Sequence, residues 1–483
     1  MNPDGDPALL TILGARAEID AGRLSAVELT EAVLARTQRL NPTLNAYLHI
    51  DAGGALEQAR AADSRRYDQP LSGIPVCIKD MIDVAGLPTT AGAARWRRAP
   101  GQDAFAVARL RAAGAILIGK GHTNEFAYGI DGQNPHWGNC RNPYDPARMS
   151  GGSSSGPAVA TAAGMALAGL GTDTTGSIRV PASLCGLIGI RPTLGAVPLD
   201  GVVPLAWSYD TVGPLARCVQ DAALLLEILT DGEPPHPDVP ASHRARPRPS
   251  PKRPLLGLRL GLVEQLLAVS EPYVETGVIR VAAQFESLGA EIVPIRFELL
   301  DHAAAIHQIV QHAEAARIHA PWFKAQQSYY SDAVRTRLEA GGLLPAGAYL
   351  AAQQARQLLI EEFTGMMRGL DAMLAPCTPI VAPPHDVEEV SIRGATHPLR
   401  VALLACVVAP SELACPVIAT PIGRHQGLPY GMQIIGRPWS EALLLRVAAA
   451  AEQMLVEDRL AGPVGADGVH RVSRMSEKRH TPP

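Results

Sequence analysis

The stretch SGGSSSGPAVATAAGMALAGLGTDTTGSIRVP, residues 150–181, decides how this chain is read. It opens on glycines and serines, a composition that by itself suits a flexible linker. Linkers, however, do not run straight into apolar text. Pro157 suits the first turn of a helix, the alanines after it let that helix lie very close on a sheet, and Met165–Gly171 reads as a buried strand. Ser150–Ala158 is therefore expected as a tight turn presenting hydroxyls and backbone N–H groups at a helix N-terminus. After the strand, Thr172–Pro181 makes a second turn, with Ser177 at a sheet edge among free amides. Amides so placed can hold the oxyanion that forms when a carbonyl is attacked. A nucleophilic serine also needs a proton acceptor, and no histidine is near Ser177 in sequence.

Working outward, the same alternation continues. GIPVCIKD, residues 73–80, is a short β-rich run; DAFAVARLRAAG, 103–114, reads as a helix capped by Asp103 and stopped by Gly114; AILIG, 115–119, is a buried strand. Upstream, residues 25–42 read as a helix opened by a Ser25–Glu28 capping box and ended at Asn41–Pro42. Downstream, residues 256–264 resume as a strand before further helices, and β-like text returns at 372–380 and 430–438. This is the pattern of a sheet covered by helices.

Of 483 residues, 47% are hydrophobic, 19% charged and 4% aromatic, so the core is built from Ala, Leu, Val and Ile in one large α/β domain or two fused ones. The net charge of −4 provides no overall attraction for nucleic acid or an anionic membrane, which leaves a small ligand as the expectation. The seven cysteines are scattered and form no CxxC pair; they read as reduced core residues, without a disulfide framework or a metal site. The opening MNPDGDPALL is acidic where a signal peptide is basic, and no apolar run reaches the roughly 18 residues of a membrane helix. A cytoplasmic protein is expected.

Only five residues are lysines. Lys79 falls at the end of a predicted buried strand, where an ammonium is costly unless paired or deprotonated. It is either half of an ion pair with Asp80 or Asp83, or a neutral general base. Lys120 belongs to GAILIGKG, residues 114–121, which has phosphate-loop spacing but apolar residues where a cradle needs glycines, and Gly121 where Ser or Thr should hold magnesium. A buried lysine with two serine turns suggests Ser–Lys nucleophilic catalysis.

GIPVCIKD, NEFAYG (124–129), residues 150–193, DTVGPLARCVQD (210–221) and LPYGMQIIGRPW (428–439) together resemble the amidase signature family, in order and spacing. The resemblance implies a single large α/β domain whose central mixed, twisted β-sheet is covered by helices on both faces. Its expected parts are an N-terminal helical segment (1–70), a signature core (71–231), a Pro/Arg-rich surface connection (232–256), the rest of the α/β domain with substrate-side helices (257–464) and a polar tail (465–483). It implies Ser177 as nucleophile, Ser153 as bridging serine and Lys79 as base, with a cis peptide between Gly152 and Ser153. The amides of Thr174, Thr175, Gly176 and Ser177 would form the oxyanion hole, braced by Asp173 and Arg179 and oriented by Ser154. The 14 histidines, His122 and His136 included, would then lie at the surface or in support. Two departures stand out: Ser155 and Thr175 replace family glycines, and a β-branched Thr175 would unsettle the loop if positive φ were required there.

Met81, Phe126, Tyr128 and Trp207 are the pocket candidates, each weighed against an ordinary core role, and no charged cluster commits the pocket. The leading expectation is a cofactor-free hydrolase of carboxylic amides acting on a small molecule. The alternatives are a biuret-, allophanate- or carbamate-type hydrolase, and the glutaminase component of a tRNA-dependent amidotransferase that needs partner proteins. Homodimerisation stays open.

Overall fold

The helix Ser155–Ala162 returns directly onto the strand Ala168–Asp173, and the contact between them explains the small residues of this region. A Cβ on Gly169 would lie 2.7 Å from the Pro157 side chain, so the glycine is what lets helix and strand touch. In the computed structural model, which describes residues 5–64, 69–230 and 255–453, this unit sits inside one extended sheet. The expected surface connection and the polar tail fall almost wholly outside the described residues.

The strands are β1 (Tyr47–Ile50), β2 (Pro75–Lys79), β3 (Ile116–Gly121), β4 (Ala168–Asp173), β5 (Ile188–Arg191), β6 (Thr211–Ala216) and β7 (Arg259–Val263). They continue with β8 (Glu291–Ile295), β9 (Ala372–Pro376), β10 (Glu389–Ile392), β11 (Ala395–Pro398), β12 (Val417–His425) and β13 (Leu428–Ile435). Eleven form one sheet in the order β1-β3-β2-β4-β6-β5-β12-β13-β9-β7-β8, while β10 and β11 make a separate hairpin. The β2–β3, β2–β4, β7–β8 and β7–β9 pairs are parallel and the others antiparallel, so the sheet is mixed. Strands β2, β3, β4, β5 and β6 are buried along their whole length, as continuous apolar runs covered on both faces should be. Each fully buried Ile or Leu there contributes about 1.5–3 kcal/mol relative to exposure.

Three local expectations need correction. The segment 1–70 is not purely helical, because β1 crosses back to pair with β3 at the sheet edge. The helix that starts with the Ser25–Glu28 capping box runs through Pro42 to Leu44; Asn45, at φ 51°, supplies the left-handed stop. Asp103 caps no helix: its carboxylate accepts from the Ala85 amide at 2.8 Å and pairs with Arg111 at 2.8 Å, and Ala104 precedes the helix Phe105–Ala112. The GAILIGKG segment is mostly strand β3, as its apolar residues dictate.

Candidate active site

The two turns of residues 150–181 meet at the C-terminal ends of β2 and β4. Parallel pairing of β2 with β4 aligns Ile78 with Leu170, so Lys79 emerges beside Thr172. Lys79 is completely buried, and its Nζ lies 2.8 Å from Ser153 Oγ and 2.7 Å from Thr172 Oγ1. No carboxylate comes within ion-pair distance of it among the described residues; the partner open to it in sequence, Asp80, is taken by Lys120 at 3.0 Å, and Asp83 by Arg98 at 2.7 Å. Burial pulls the Lys79 amine down from 10.5 to about 7 against the opposing fields of Asp173 and Asp210. An amine so placed spends much of its time unprotonated at neutral pH.

The Gly152–Ser153 peptide is cis. Ser154 fixes the two turns to each other, its N–H donating to Ser177 O at 3.0 Å and its hydroxyl to Thr172 O at 3.0 Å. Lys79 thus reaches Ser153, and Ser154 reaches the backbone of Ser177. The hydroxyls of Ser153 and Ser177 are not hydrogen-bonded to each other, a link that free enzymes often close only around substrate.

Asp173 is buried under Ser177 between two guanidiniums, Arg179 at 3.0 Å and Arg191 at 3.2 Å. Burial alone would raise its carboxyl; Arg179, Arg191 and the Gly176 amide outweigh that and hold it well below the usual range. The Gly176 amide donates to Asp173 Oδ1 at 2.6 Å, which corrects its expected place in the oxyanion hole: that donor is already spent. The N–H groups of Thr174, Thr175 and Ser177 donate to no acceptor among the described residues. Positive φ also falls at Gly176 (111°) and not at Thr175, so the β-branched residue is tolerated. Gly176 itself cannot change, since a Cβ would meet Val407 at 2.6 Å.

A narrow slot of about 10 Å3 borders this loop, lined by Thr174, Thr175 and Ser177 together with Tyr128, Gln311 and Arg400. Gln311, Arg400 and Leu404 also line an adjoining chamber of about 540 Å3, shared with His307, His312 and Arg337. Of the four pocket candidates, Tyr128 lines the slot. Phe126 packs among Trp96, His319 and Tyr330, Met81 lies in the core, and Trp207 is 50% exposed outside both cavities.

Sequence reasoning missed several neighbours. Thr172 is the second hydroxyl on Lys79. His307, from the helix Ala303–Ala325, bonds Thr175 Oγ1 through Nε2 at 2.6 Å, a supporting position that no sequence pattern singled out. Arg337 and Arg400, with Asp301, supply the charge that no sequence cluster announced. All but Thr172 come from the second half of the chain, where no pattern local to Ser177 could point to them.

The family model described as Amidase matches residues 28–445. The chain belongs to the amidase signature family. It is 37% identical to the A subunit of the glutamyl-tRNA(Gln) amidotransferase from Chloroflexus aurantiacus, across 92% of this chain and 96% of that one. It is 36% identical to AtzE of the 1-carboxybiuret hydrolase from Pseudomonas sp. strain ADP, across 89% and 95%. Native peptide amidase from Stenotrophomonas maltophilia superposes with a TM-score of 0.79 at 29% identity, covering 95% of this chain and 99% of that structure. An amidase signature enzyme with one large mixed sheet flanked by helices is what both fold and sequence establish. Among the described residues no His, Cys, Asp and Glu cluster could hold a metal ion, and no helix is long and apolar enough to cross a membrane.

Proposed function

We propose that this protein hydrolyses carboxylic amide C–N bonds with Ser177 as nucleophile, its proton passing through Ser153 to neutral Lys79. The observation that carries this reading is the Lys79 amine, solvent-free, unpaired with any carboxylate and 2.8 Å from Ser153 Oγ. Attack by Ser177 Oγ on the amide carbon forms a tetrahedral oxyanion held by the amides of Thr174, Thr175 and Ser177. The protonated Lys79 then returns its proton, through Ser153, to the departing nitrogen, which leaves as ammonia or an amine. Water hydrolyses the resulting ester and restores Ser177.

Within this reading, the chamber favours an acidic amide. Arg337 donates to Tyr128 O and lies 5.3 Å from that ring's centroid, and Arg400 has no hydrogen-bonding or ion-pair partner among the described residues. Burial and the neighbouring Arg337 lower the Arg400 guanidinium to about 10, so an anion entering the slot relieves both. The relative named for 1-carboxybiuret hydrolysis acts on a compound of this acidic kind. Likeness to the amidotransferase component keeps a partner-dependent glutaminase as the competing assignment.

A substrate panel on the purified chain tests these readings: neutral aryl and alkyl amides, dicarboxylic monoamides, carboxylated biurets and glutamine. Turnover of acidic amides by the chain alone is expected, and it should fall at least about tenfold in Arg400→Gln, the loss of one charge-assisted contact. Ammonia release from glutamine only after partner proteins are added would overturn the free-standing reading.

A further inference from the structure

We propose that His307 and Glu412 are positioning residues that hold the oxyanion loop for reaction by gripping the hydroxyl of Thr175. The inference rests on the Ser177 chemistry proposed above and extends it to a part of the site that Lys79, Ser153 and Ser177 leave unexplained.

The geometry is a continuous chain of hydrogen bonds. Glu412 is fully buried; its Oε1 lies 2.5 Å from His307 Nδ1, and its Oε2 accepts from Tyr209 OH at 2.9 Å. Arg356 secures the same carboxylate, its Nε 3.4 Å from Oε2 and donating at 3.0 Å to the Glu412 carbonyl. A carboxylate only accepts, so Nδ1 carries a proton and donates it to Glu412. Thr175 Oγ1 lies 2.6 Å from His307 Nε2 and accepts from Gln311 Nε2 at 2.9 Å. The hydroxyl is therefore held between His307 Nε2 and the donating Gln311 amide, so its position is not free.

That matters because Thr175 is part of the reacting surface. Its side chain has two heavy atoms on Cβ, so fixing Oγ1 fixes χ1 and, through it, the backbone at 175. The Thr175 amide is one of three unspent N–H groups on the loop, and the next, Gly176, is lost to Asp173. A glycine at 175 would have no such handle. Thr174 is tied independently, its hydroxyl donating to Asp210 Oδ1 at 2.6 Å. The loop thus has separate anchors on its two threonines, and the one on Thr175 runs to helices that also wall the chamber. Remote packing is in this way converted into the direction of one N–H bond.

The test is the rate at which a fluorophosphonate labels Ser177 in the full-length chain, together with kcat and KM on the best amide of the panel. Thr175→Val keeps the shape and removes the hydroxyl; His307→Gln removes the grip. Each is expected to slow labelling and lower kcat about 10- to 100-fold, somewhat less than deletion of an oxyanion donor, with KM within about threefold. Thr175→Ser should recover most of the loss, and the Thr175→Val/His307→Gln double variant should be no slower than the slower single one, since both break one link. Parental rates in Thr175→Val, or a double variant whose losses multiply, would overturn the inference. Thr175→Val leaves the His307–Glu412 pair intact and decides the matter if His307→Gln does not fold. A parental chain that takes up no label at Ser177 would overturn the nucleophile assignment and this inference together; a labelled parent with unaffected variants sinks the inference alone.

Discussion

Two buried lysines stand on neighbouring parallel strands, Lys79 at the end of β2 and Lys120 near the end of β3, and they have opposite fates. Burial lowers the pKa of both. Lys120 meets Asp80 at 3.0 Å and Thr89 Oγ1 at 2.8 Å, and the carboxylate opposes the lowering that burial causes. Lys79 meets only hydroxyls and one more distant carbonyl. Both amines are buried, and what separates the two sites is the carboxylate that Lys120 has within ion-pair distance and Lys79 lacks among the described residues.

The sharpest way to break this comparison removes the group that Lys79 is proposed to serve. Ser177→Ala should lower turnover by at least about 10^4-fold with the fold unchanged, the range seen when a triad nucleophile is deleted. Residual activity near the parental level in stopped assays would end the serine assignment.

Exchanging the lysines comes next. Lys79→Met should cost about 10^2- to 10^4-fold in kcat, the span of general-base catalysis, while thermal stability holds or rises because no buried charge is orphaned. Lys120→Met should do the reverse: the folded fraction keeps its turnover, but Asp80 is left buried and unpaired at a cost of about 3–5 kcal/mol. Denaturant melts and kcat measured on both variants check the pair, and equal effects would erase the distinction.

A pH profile sharpens it further. Lys79 must be neutral to accept a proton, so kcat/KM should rise about tenfold per pH unit below about 7 and level off above it. Stability follows the same group. Between about 7 and 10.5 the unfolded chain holds a proton that native Lys79 has released, so this residue's contribution to stability rises with pH across that window and is flat below it. A kcat/KM that stays flat from pH 5 to 8 would contradict a proton acceptor that titrates near 7.

The smallest effect belongs to Thr172. Thr172→Val removes one of two hydroxyls at Lys79 and should lower kcat about three- to tenfold, the worth of one buried hydrogen bond.

Short-range features were plain in the sequence. The Ser25–Glu28 box forms as written, GIPVCIK makes β2, and the false phosphate loop betrays itself by the apolar residues that become β3. Helix ends were harder to read. Pro42 sits inside its helix, and Asp103 is drawn to Ala85 and Arg111 and not to a helix start, because tertiary partners outbid local preference at such positions.

The candidate site divides the same way. Lys79, Ser153 and Ser177 lie in motifs whose text shows strand, turn and proposed nucleophile in order. Thr172 stood within the quoted stretch, yet its role depends on strand register, which sequence spacing leaves open until β2 and β4 pair. His307, Gln311, Glu412, Arg337 and Arg400 come from the second half of the chain and converge on the loop through packing.

By itself, then, the sequence determined the family, the alternation that builds the sheet, and the residues proposed to attack and to accept a proton. Those properties depend on neighbours a few positions apart. Only the tertiary structure decided which lysine lost its carboxylate, which loop amides stayed free and which charges line the chamber. Charge and hydrogen-bond direction depend on distances of about 3 Å between groups far apart in the chain, and such distances exist only once the strands and helices have packed.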